Sequence, residues 1–158
     1  MRFVKTILEE ALKATESVLG SANKENIKAA LENLELPHRS TKQSAGYDFF
    51  SPFDIHAKKG DTIKVPLFVK AMDMPSNVVL LIFNRSGLSL KKGLQLDNAV
   101  GVIDSDYRQC IVFQATAKKD ITILQGDRIC QGIFVNFLTV DDDIAEGERD
   151  GGFGSTGR

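Results

Sequence analysis

The chain has 158 residues, of which 42% are hydrophobic, and carries a formal net charge of -1 at pH 7. This length and composition predict a single domain, residues 1–158, with enough apolar side chains to bury a core. Because acidic and basic residues are interspersed, we expect no broad charged field that would attract nucleic acid or a membrane surface. An anionic ligand must then be held by a local site, which suits small phosphate esters better than polymers.

Two cysteines, Cys110 and Cys130, lie singly inside apolar segments, without the paired spacing of a zinc site. We expect them to be buried free thiols in a reducing cytosol. The N-terminus shows no signal-peptide pattern, and no apolar run approaches the ~18 residues needed to cross a bilayer. The sequence therefore predicts a soluble, cytoplasmic protein.

The N-terminal residues 1–7 alternate as in a short strand, and apolar side chains then recur with a helical period. A first helix is predicted to end at Gly20, and Asn23 is placed to cap a second helix. Pro37 is expected to end that second helix. The pattern thus predicts a helical hairpin over residues 8–36, packed on the domain or on a partner and carrying no catalytic group.

From Ser44 onward, short β-rich runs are separated by Gly, Pro, Asn and Asp. The predicted strands cover residues 61–68, 77–83, 109–115, 121–124 and 128–137. Because no helical crossover lies between these runs, the pattern favours a jelly-roll-like barrel over a parallel sheet. The predicted fold class is mainly β, with the helices confined to the N-terminal part.

Residues 96–108 place polar side chains against an apolar background. Gly101 is conformationally permissive and Val102 and Ile103 are β-branched, which predicts an extended, hairpin-like turn whose backbone a ligand can approach. Asp104 follows this apolar pair, where a partly desolvated carboxylate could take a proton from water. The alternative is an Asx turn that only caps a hairpin.

The tail, residues 141–158, is acidic and then glycine-rich, and it has too few apolar residues to order itself. One interpretation is a flexible, disordered arm. The other is a phosphate-binding segment, because backbone N–H groups and hydroxyls donate to phosphate oxygens while an arginine neutralises their charge.

Taken in order, five motifs resemble those of the trimeric-type deoxyuridine triphosphatases (dUTPases). They are residues 45–49 (AGYDF), 85–88 (RSGL), 101–108 (GVIDSDYR), 126–131 (GDRICQ) and 152–157 (GFGSTG). The resemblance implies a dUTPase β-barrel that hydrolyses dUTP to dUMP and pyrophosphate, limiting uracil in DNA and supplying dUMP. It also implies Mg²⁺ held mainly by the triphosphate.

The resemblance also implies a role for the third motif. Asp104 would be the base that activates the water attacking the α-phosphorus. Tyr107 would pack on the deoxyribose and leave no room for a 2′-hydroxyl. Asn98 and the backbone of residues 101–103 would pair with the uracil edge, so that cytosine would leave polar groups unpaired and be rejected.

The same resemblance assigns the phosphates to Arg85, Ser86 and Gly87, whose donors would stabilise the charge that shifts in the transition state. Gln131 would add an amide donor. Asp48 would act through a metal-bound water or would support the site.

The fourth motif has a structural alternative. Asp127 and Arg128 could equally form a turn and an ion pair, as is common for Gly-Asp-Arg before a strand.

In the family the glycine-rich tail closes over a bound nucleotide and excludes water. Phe153 would stack on the uracil, and the remaining contacts implied for the tail are Arg149, Gly154, Ser155 and Thr156. Arg149 stands four residues before Phe153, where five is usual, so Arg158 is an alternative contact for the terminal phosphate.

The resemblance implies a homotrimer with shared active sites, although the helical segment between the first strand and the first motif departs from the family pattern. One competing interpretation is a dCTP deaminase, which would need a glutamate where this chain has residues 109–113 (QCIVF). Another is a non-enzymatic interaction protein that binds a partner through the helices. Intact Ser86, Asp104, Tyr107 and Phe153 favour an active enzyme.

Overall fold

The computed structural model of the chain describes residues 1–147. Within them, two helices follow the first strand: α1 (Leu8–Leu19) and α2 (Lys24–Asn33). The strands are β1 (Arg2–Lys5), β2 (Tyr47–Phe50), β3 (Ile55–Ala57), β4 (Thr62–Pro66), β5 (Val69–Met72), β6 (Val78–Asn84), β7 (Leu94–Leu96), β8 (Gly101–Ile103), β9 (Val112–Ala117), β10 (Ile121–Ile123) and β11 (Arg128–Asn136). The prediction of a mainly β chain with N-terminal helices is confirmed.

All strand pairs are antiparallel, and they form small sheets packed around one core. One sheet has the order β2-β11-β6-β8 and a second has the order β4-β9-β7, while β1 pairs with β5 and β10 pairs with β3. Antiparallel strands need only short connections, which agrees with the lack of helices between the later strands. The arrangement is the jelly-roll-type fold that the sequence predicts.

The central strand β11 lies between β2 and β6 and shows how tightly the core is packed. Phe49 on β2 and Leu80 on β6 are fully buried. A Cβ at Gly132 of β11 would lie 2.8 Å from Leu80 Cδ1 and 2.9 Å from Phe49 Cε2. The absence of a side chain at Gly132 therefore lets these two side chains pack over the strand.

The predicted end of the first helix at Gly20 and the predicted start of the second at Asn23 are confirmed. Gly20 adopts φ 78°, and its N–H donates to the carbonyl of Glu16 at 2.9 Å, which closes α1. The side chain of Asn23 accepts a hydrogen bond from the N–H of Asn26 at 3.0 Å and so caps α2.

The second helix ends at Asn33, before the predicted limit at Pro37. Leu34 turns to an extended conformation and buries its side chain, with 6% exposure. The helix end is stabilised by Lys5 of β1, whose Nζ donates to the carbonyl of Leu31 at 2.6 Å. Burial of Leu34, rather than the proline, decides where α2 stops.

Helix α1 packs against the strands through a buried face and an ion pair. Ala11 and Thr15 are buried on that face. Glu10 accepts a hydrogen bond from the N–H of Ile7 at 3.2 Å and pairs with Lys70 of β5 at 2.7 Å.

Two further expectations stay predictions. One is that these helices are an insertion into a family fold, and the other is that residues 141–158 form a flexible arm.

The described part of the chain includes no helix that is long and apolar enough to cross a membrane.

Two details differ from the sequence predictions. The strand expected over residues 109–115 is β9, which begins at Val112 because the backbone of Ile111 instead bonds to Leu67 and Val69. Residues 96–108 do not form the predicted hairpin-like turn between two paired strands. The strands β7 and β8 belong to different sheets, since β7 pairs with β9 and β8 pairs with β6.

Replacement of Gly132 by alanine should lower the free energy of unfolding by about 1–3 kcal/mol, because the added methyl group overpacks a core whose side chains cannot move out. Chemical denaturation measures the change. Gly147→Ala is the control, since a Cβ there meets no atom within 4 Å. Equal stabilities of the two variants would contradict this description of the core.

Candidate active site

The carboxylate of Asp48 on β2 is buried, with a side-chain exposure of 8%, and both its oxygens face positive charge. Arg85 Nε lies 2.7 Å from Oδ1, and Arg128 Nη1 lies 3.3 Å from Oδ2. Two arginines and one carboxylate leave an excess of positive charge. Because the arginines are only partly exposed, that charge is held at a fixed place beside the end of β6.

Ser40, in the connection between α2 and β2, completes this cluster. Its hydroxyl donates to Asp48 Oδ2 at 2.9 Å and accepts a hydrogen bond from Arg128 Nη1 at 3.1 Å. The backbone nearby is tied as well, since the N–H of Asp48 donates to the carbonyl of His38 at 2.8 Å. Ser40 is not among the predicted site residues, because nothing in the sequence shows that this connection returns to β2.

Arg85, Ser86 and Gly87, which we call the phosphate strap, lie where β6 ends. Arg85 follows the last residue of the strand, and Ser86 and Gly87 are exposed at the start of a π-helical turn, Gly87–Lys91. The structure thus brings Arg85, Ser86 and Gly87 together with Asp48 and Arg128. An exposed hydroxyl next to a fixed arginine can donate to an anion.

Gln131 joins the same region through its amide. Its Nε2 donates to the carbonyl of Asn84, at the end of β6, at 3.0 Å. A Cβ at Gly46 would lie 2.7 Å from Gln131 Oε1, so the glycine of the first motif is what gives this amide its room. The first, second and fourth motifs therefore meet at one place in the chain.

Asp127 and Arg128 do not form an ion pair with each other. Asp127 Oδ2 accepts from the N–H of Leu124 at 3.1 Å, which holds a turn, whereas Arg128 reaches Asp48. The structural turn expected for Asp127 is confirmed, and the arginine belongs to the charged cluster.

The loop before β8 is held by Asp97, whose carboxylate accepts from the Thr116 hydroxyl at 2.6 Å and from the Gln114 amide at 2.9 Å. These hydrogen bonds, chiefly that of Thr116, lower the pKa of the Asp97 carboxyl below its usual value. The loop then turns through Ala99, at φ 59°, and leaves Asn98 exposed. A fixed loop with an exposed amide fits the predicted recognition of a polar ring edge.

Asp104 and Tyr107 follow β8. Asp104 is half-buried, and its carbonyl accepts from the N–H of Tyr107 at 3.1 Å. Tyr107 is 8% exposed, and its hydroxyl donates to the carbonyl of Cys110 at 3.0 Å. The ring is thus packed mainly against this chain, and the stacking on a sugar stays a prediction.

The register of β8 separates Asp104 from the strap. Ile103 lies opposite Leu80, while the strap begins after Asn84 at the other end of β6. The four residue-to-residue steps from Leu80 to Asn84 span about 13 Å in a strand. Because Asp104 directly follows Ile103, one chain does not bring the predicted base and the phosphate donors to a single phosphorus atom.

Neither Cys110 nor Cys130 is a residue of the candidate active site. Both are buried and free, as predicted. Burial raises the pKa of the Cys110 thiol to about 11. Burial, with a smaller contribution from the charge of Asp48, also raises the pKa of the Cys130 thiol. Both thiols are protonated at neutral pH and are not nucleophiles.

Residues 1–147 contain no group of three or more His, Cys, Asp or Glu side chains that could hold a metal ion. The carboxylate of Asp48, predicted to act on Mg²⁺ through water, already faces two arginines. These residues do not form a metal site by themselves. The predicted contacts of the fifth motif, Arg149, Phe153, Gly154, Ser155 and Thr156, lie outside the described residues.

The comparisons with known proteins show the family of this chain. The dUTPase family model matches residues 32–157, and the chain belongs to the dUTPase family. The deoxyuridine 5'-triphosphate nucleotidohydrolase of Lactococcus lactis is 37% identical over 134 residues, which cover 78% of this chain and 89% of that protein. The enzyme of the same name from Finegoldia magna is 37% identical and covers 79% of this chain and 93% of its own length.

Solved structures show the same fold. The crystal structure of dUTPase from Streptococcus mutans superposes with a TM-score of 0.64 at 39% identity, over 70% of this chain and 91% of that one. A dUTPase from phage phi11 of Staphylococcus aureus, 22% identical with a TM-score of 0.63, covers 73% of this chain and 92% of its own. That structure is described as showing the coordination of a structural Mg(II) ion.

Replacement of Asp48 by asparagine should lower the free energy of unfolding by roughly 1–3 kcal/mol, because two arginines then lose the anion between them. Solvent around the partly exposed arginines keeps the loss below that of a fully buried pair. Chemical denaturation tests this, with Asp142→Asn at an exposed carboxylate as the control. If both variants unfold at the same denaturant concentration, the cluster does not stabilise the fold.

Proposed function

We propose that this protein hydrolyses dUTP to dUMP and pyrophosphate. The observation that carries the proposal is the cluster of Arg85, Arg128 and Asp48 beside the exposed Ser86, which is a fixed donor set with excess positive charge. Family membership and relatives named for this reaction support it.

In the proposed reaction the phosphate strap binds the triphosphate, and the loop before β8 selects the uracil base. Arg85, Ser86 and the backbone of Gly87 donate to the phosphates of the substrate, and Gln131 offers its remaining amide hydrogen. Because Asp48 fixes Arg85 before substrate arrives, little reorganisation is needed as negative charge shifts to the leaving pyrophosphate. Asn98 and the backbone of residues 101–103 bind the uracil edge.

The chemical step needs a base, and Asp104 is proposed for it. Its half-buried carboxylate would orient and deprotonate a water molecule, which attacks the α-phosphorus as the bond to pyrophosphate breaks. Tyr107 would contact the deoxyribose next to this water. Mg²⁺, when bound, would neutralise phosphate charge, and we propose that the triphosphate rather than a protein cluster carries it.

The site is proposed to form between copies of this chain, as a homotrimer. Asp104 and the strap lie at opposite ends of β6 within one chain, so a substrate that meets both must lie between two chains. Large apolar side chains are also exposed near the C-terminal end of the described residues, as is typical of a surface that a partner covers. They are Val135, Phe137, Leu138, Val140 and Ile144.

The arm beyond the described residues is proposed to close over the bound nucleotide, with Phe153 on the uracil and Arg149, Gly154, Ser155 and Thr156 near the phosphates. Such closure would exclude water from the site.

The cytoplasmic location expected from the sequence likewise stays a prediction.

Replacement of Asp104 by asparagine should lower kcat for dUTP by roughly 10²-fold or more and leave nucleotide binding nearly unchanged, because the isosteric amide keeps the shape but cannot accept the proton. Pyrophosphate release from dUTP measures turnover, and titration with a non-hydrolysable dUTP analogue measures binding.

Two further assays decide between the proposed function and its alternatives. Ammonia release from dCTP by the unaltered protein would indicate a deaminase, and no turnover of either nucleotide would indicate a binding protein. Near-normal dUTP hydrolysis by the Asp104→Asn variant would remove Asp104 from the mechanism.

A further inference from the structure

Three turns of this chain each carry a pair of adjacent lysines. The pairs are Lys58-Lys59, Lys91-Lys92 and Lys118-Lys119, and all six side chains are exposed. The fold brings the turns together, since the N–H of Gly60 donates to the carbonyl of Ala117 at 2.7 Å. We call these six lysines the paired-lysine surface.

The second and third turns are in direct contact as well. The N–H of Lys118 donates to the carbonyl of Gly93 at 2.7 Å, and Lys119 Nζ donates to the carbonyl of Lys91. A Cβ at Gly93 would lie 3.2 Å from Lys119 Cγ. Residues distant in sequence therefore form one continuous basic surface.

Nearby carboxylates neutralise only part of this charge. Asp120 pairs with Lys58 at 3.0 Å, and Asp127 lies 3.9 Å from Lys92. Asp61 accepts from the backbone N–H of Lys58 at 2.8 Å. Asp97 also lies within electrostatic reach of Lys118. Four carboxylates therefore face six ammonium groups, so this surface is positive in a chain whose formal net charge is -1.

The paired-lysine surface is joined to the proposed phosphate strap by a single turn of helix. The π-helical turn Gly87–Lys91 begins next to Ser86, and its end is closed by the N–H of Lys92, which bonds to the carbonyls of Leu88 and Ser89. Five helical residues rise by no more than about 8 Å. That rise is close to the Debye length of ~8 Å at physiological ionic strength, so the charges of Lys91 and Lys92 are only partly screened at the strap.

We propose that the paired-lysine surface attracts the anionic triphosphate of the substrate and raises its rate of association with the strap. This inference rests on the proposed function. Lysine ammonium groups are hydrated point charges that attract anions without fixing their geometry, which suits capture rather than chemistry. The segments that carry the lysines, residues 57–61, 90–93 and 117–120, contain no aromatic residue, whereas a surface that binds single-stranded nucleic acid would use aromatic rings for stacking.

The test removes one lysine from each turn, with the variant Lys59→Gln, Lys91→Gln and Lys118→Gln. These positions avoid Lys58 and Lys92, which form ion pairs with Asp120 and Asp127, and Lys119, which bonds to the backbone. The matched control is Lys13→Gln, Lys24→Gln and Lys28→Gln on the two helices, which changes the net charge by the same amount. Melting temperatures of both variants show that they fold.

Steady-state kinetics with dUTP would be measured at ionic strengths of about 0.01 M and about 0.15 M, where the Debye length is roughly 30 Å and 8 Å. We expect the surface variant to lose about fivefold or more in kcat/KM at the lower ionic strength, and less at the higher, with kcat unchanged. The helix variant should keep the kcat/KM and the salt dependence of the unaltered protein.

The proposal is overturned if both variants have the same salt dependence of kcat/KM as the unaltered protein. It is also overturned if the surface variant loses kcat equally at both ionic strengths, because the lysines would then act on the bound complex. Absence of dUTP turnover by the unaltered protein would overturn the proposed function together with this inference, whereas turnover without a lysine effect overturns the inference alone.

Discussion

The ion-pair cluster around Asp48 is the constraint on which the rest of the site depends. A buried carboxylate is stable only when it is paired and hydrogen-bonded, and here Arg85, Arg128 and Ser40 supply those contacts. In return, the carboxylate fixes two arginines beside the end of β6. Three segments that are distant in the sequence are joined in this way, and the two arginines are held in place as the proposed anion site requires.

The antiparallel register of β6 and β8 sets the second constraint. It places Ile103 opposite Leu80 and so directs Asp104 away from the end of β6 that carries the strap. No side-chain movement closes a separation of about 13 Å along a strand. A chain with this topology can supply phosphate donors to one site and a base to another. The proposed chemistry therefore needs several copies of this chain to assemble.

The sequence predicted the mainly β fold and the helix ends at Gly20 and Asn23, because local periodicity and capping decide those features. That the five motifs carry the site stays a prediction. The sequence did not predict that Ser40 contacts Asp48, or that the lysine pairs meet, since long-range packing decides both. Nor did it show the separation of Asp104 from the strap, because strand register is a property of the folded chain.

The most direct test of a site shared between chains uses the variants Asp104→Asn and Ser86→Ala, each of which is expected to lose most of its activity, and unfolds and refolds them together at equal amounts. If each site takes its base from one chain and its strap from another, random assembly gives both residues to about one quarter of all sites. The account predicts that dUTP hydrolysis recovers to about that fraction of the unaltered activity. Activity no greater than the sum of the two variants alone would contradict it.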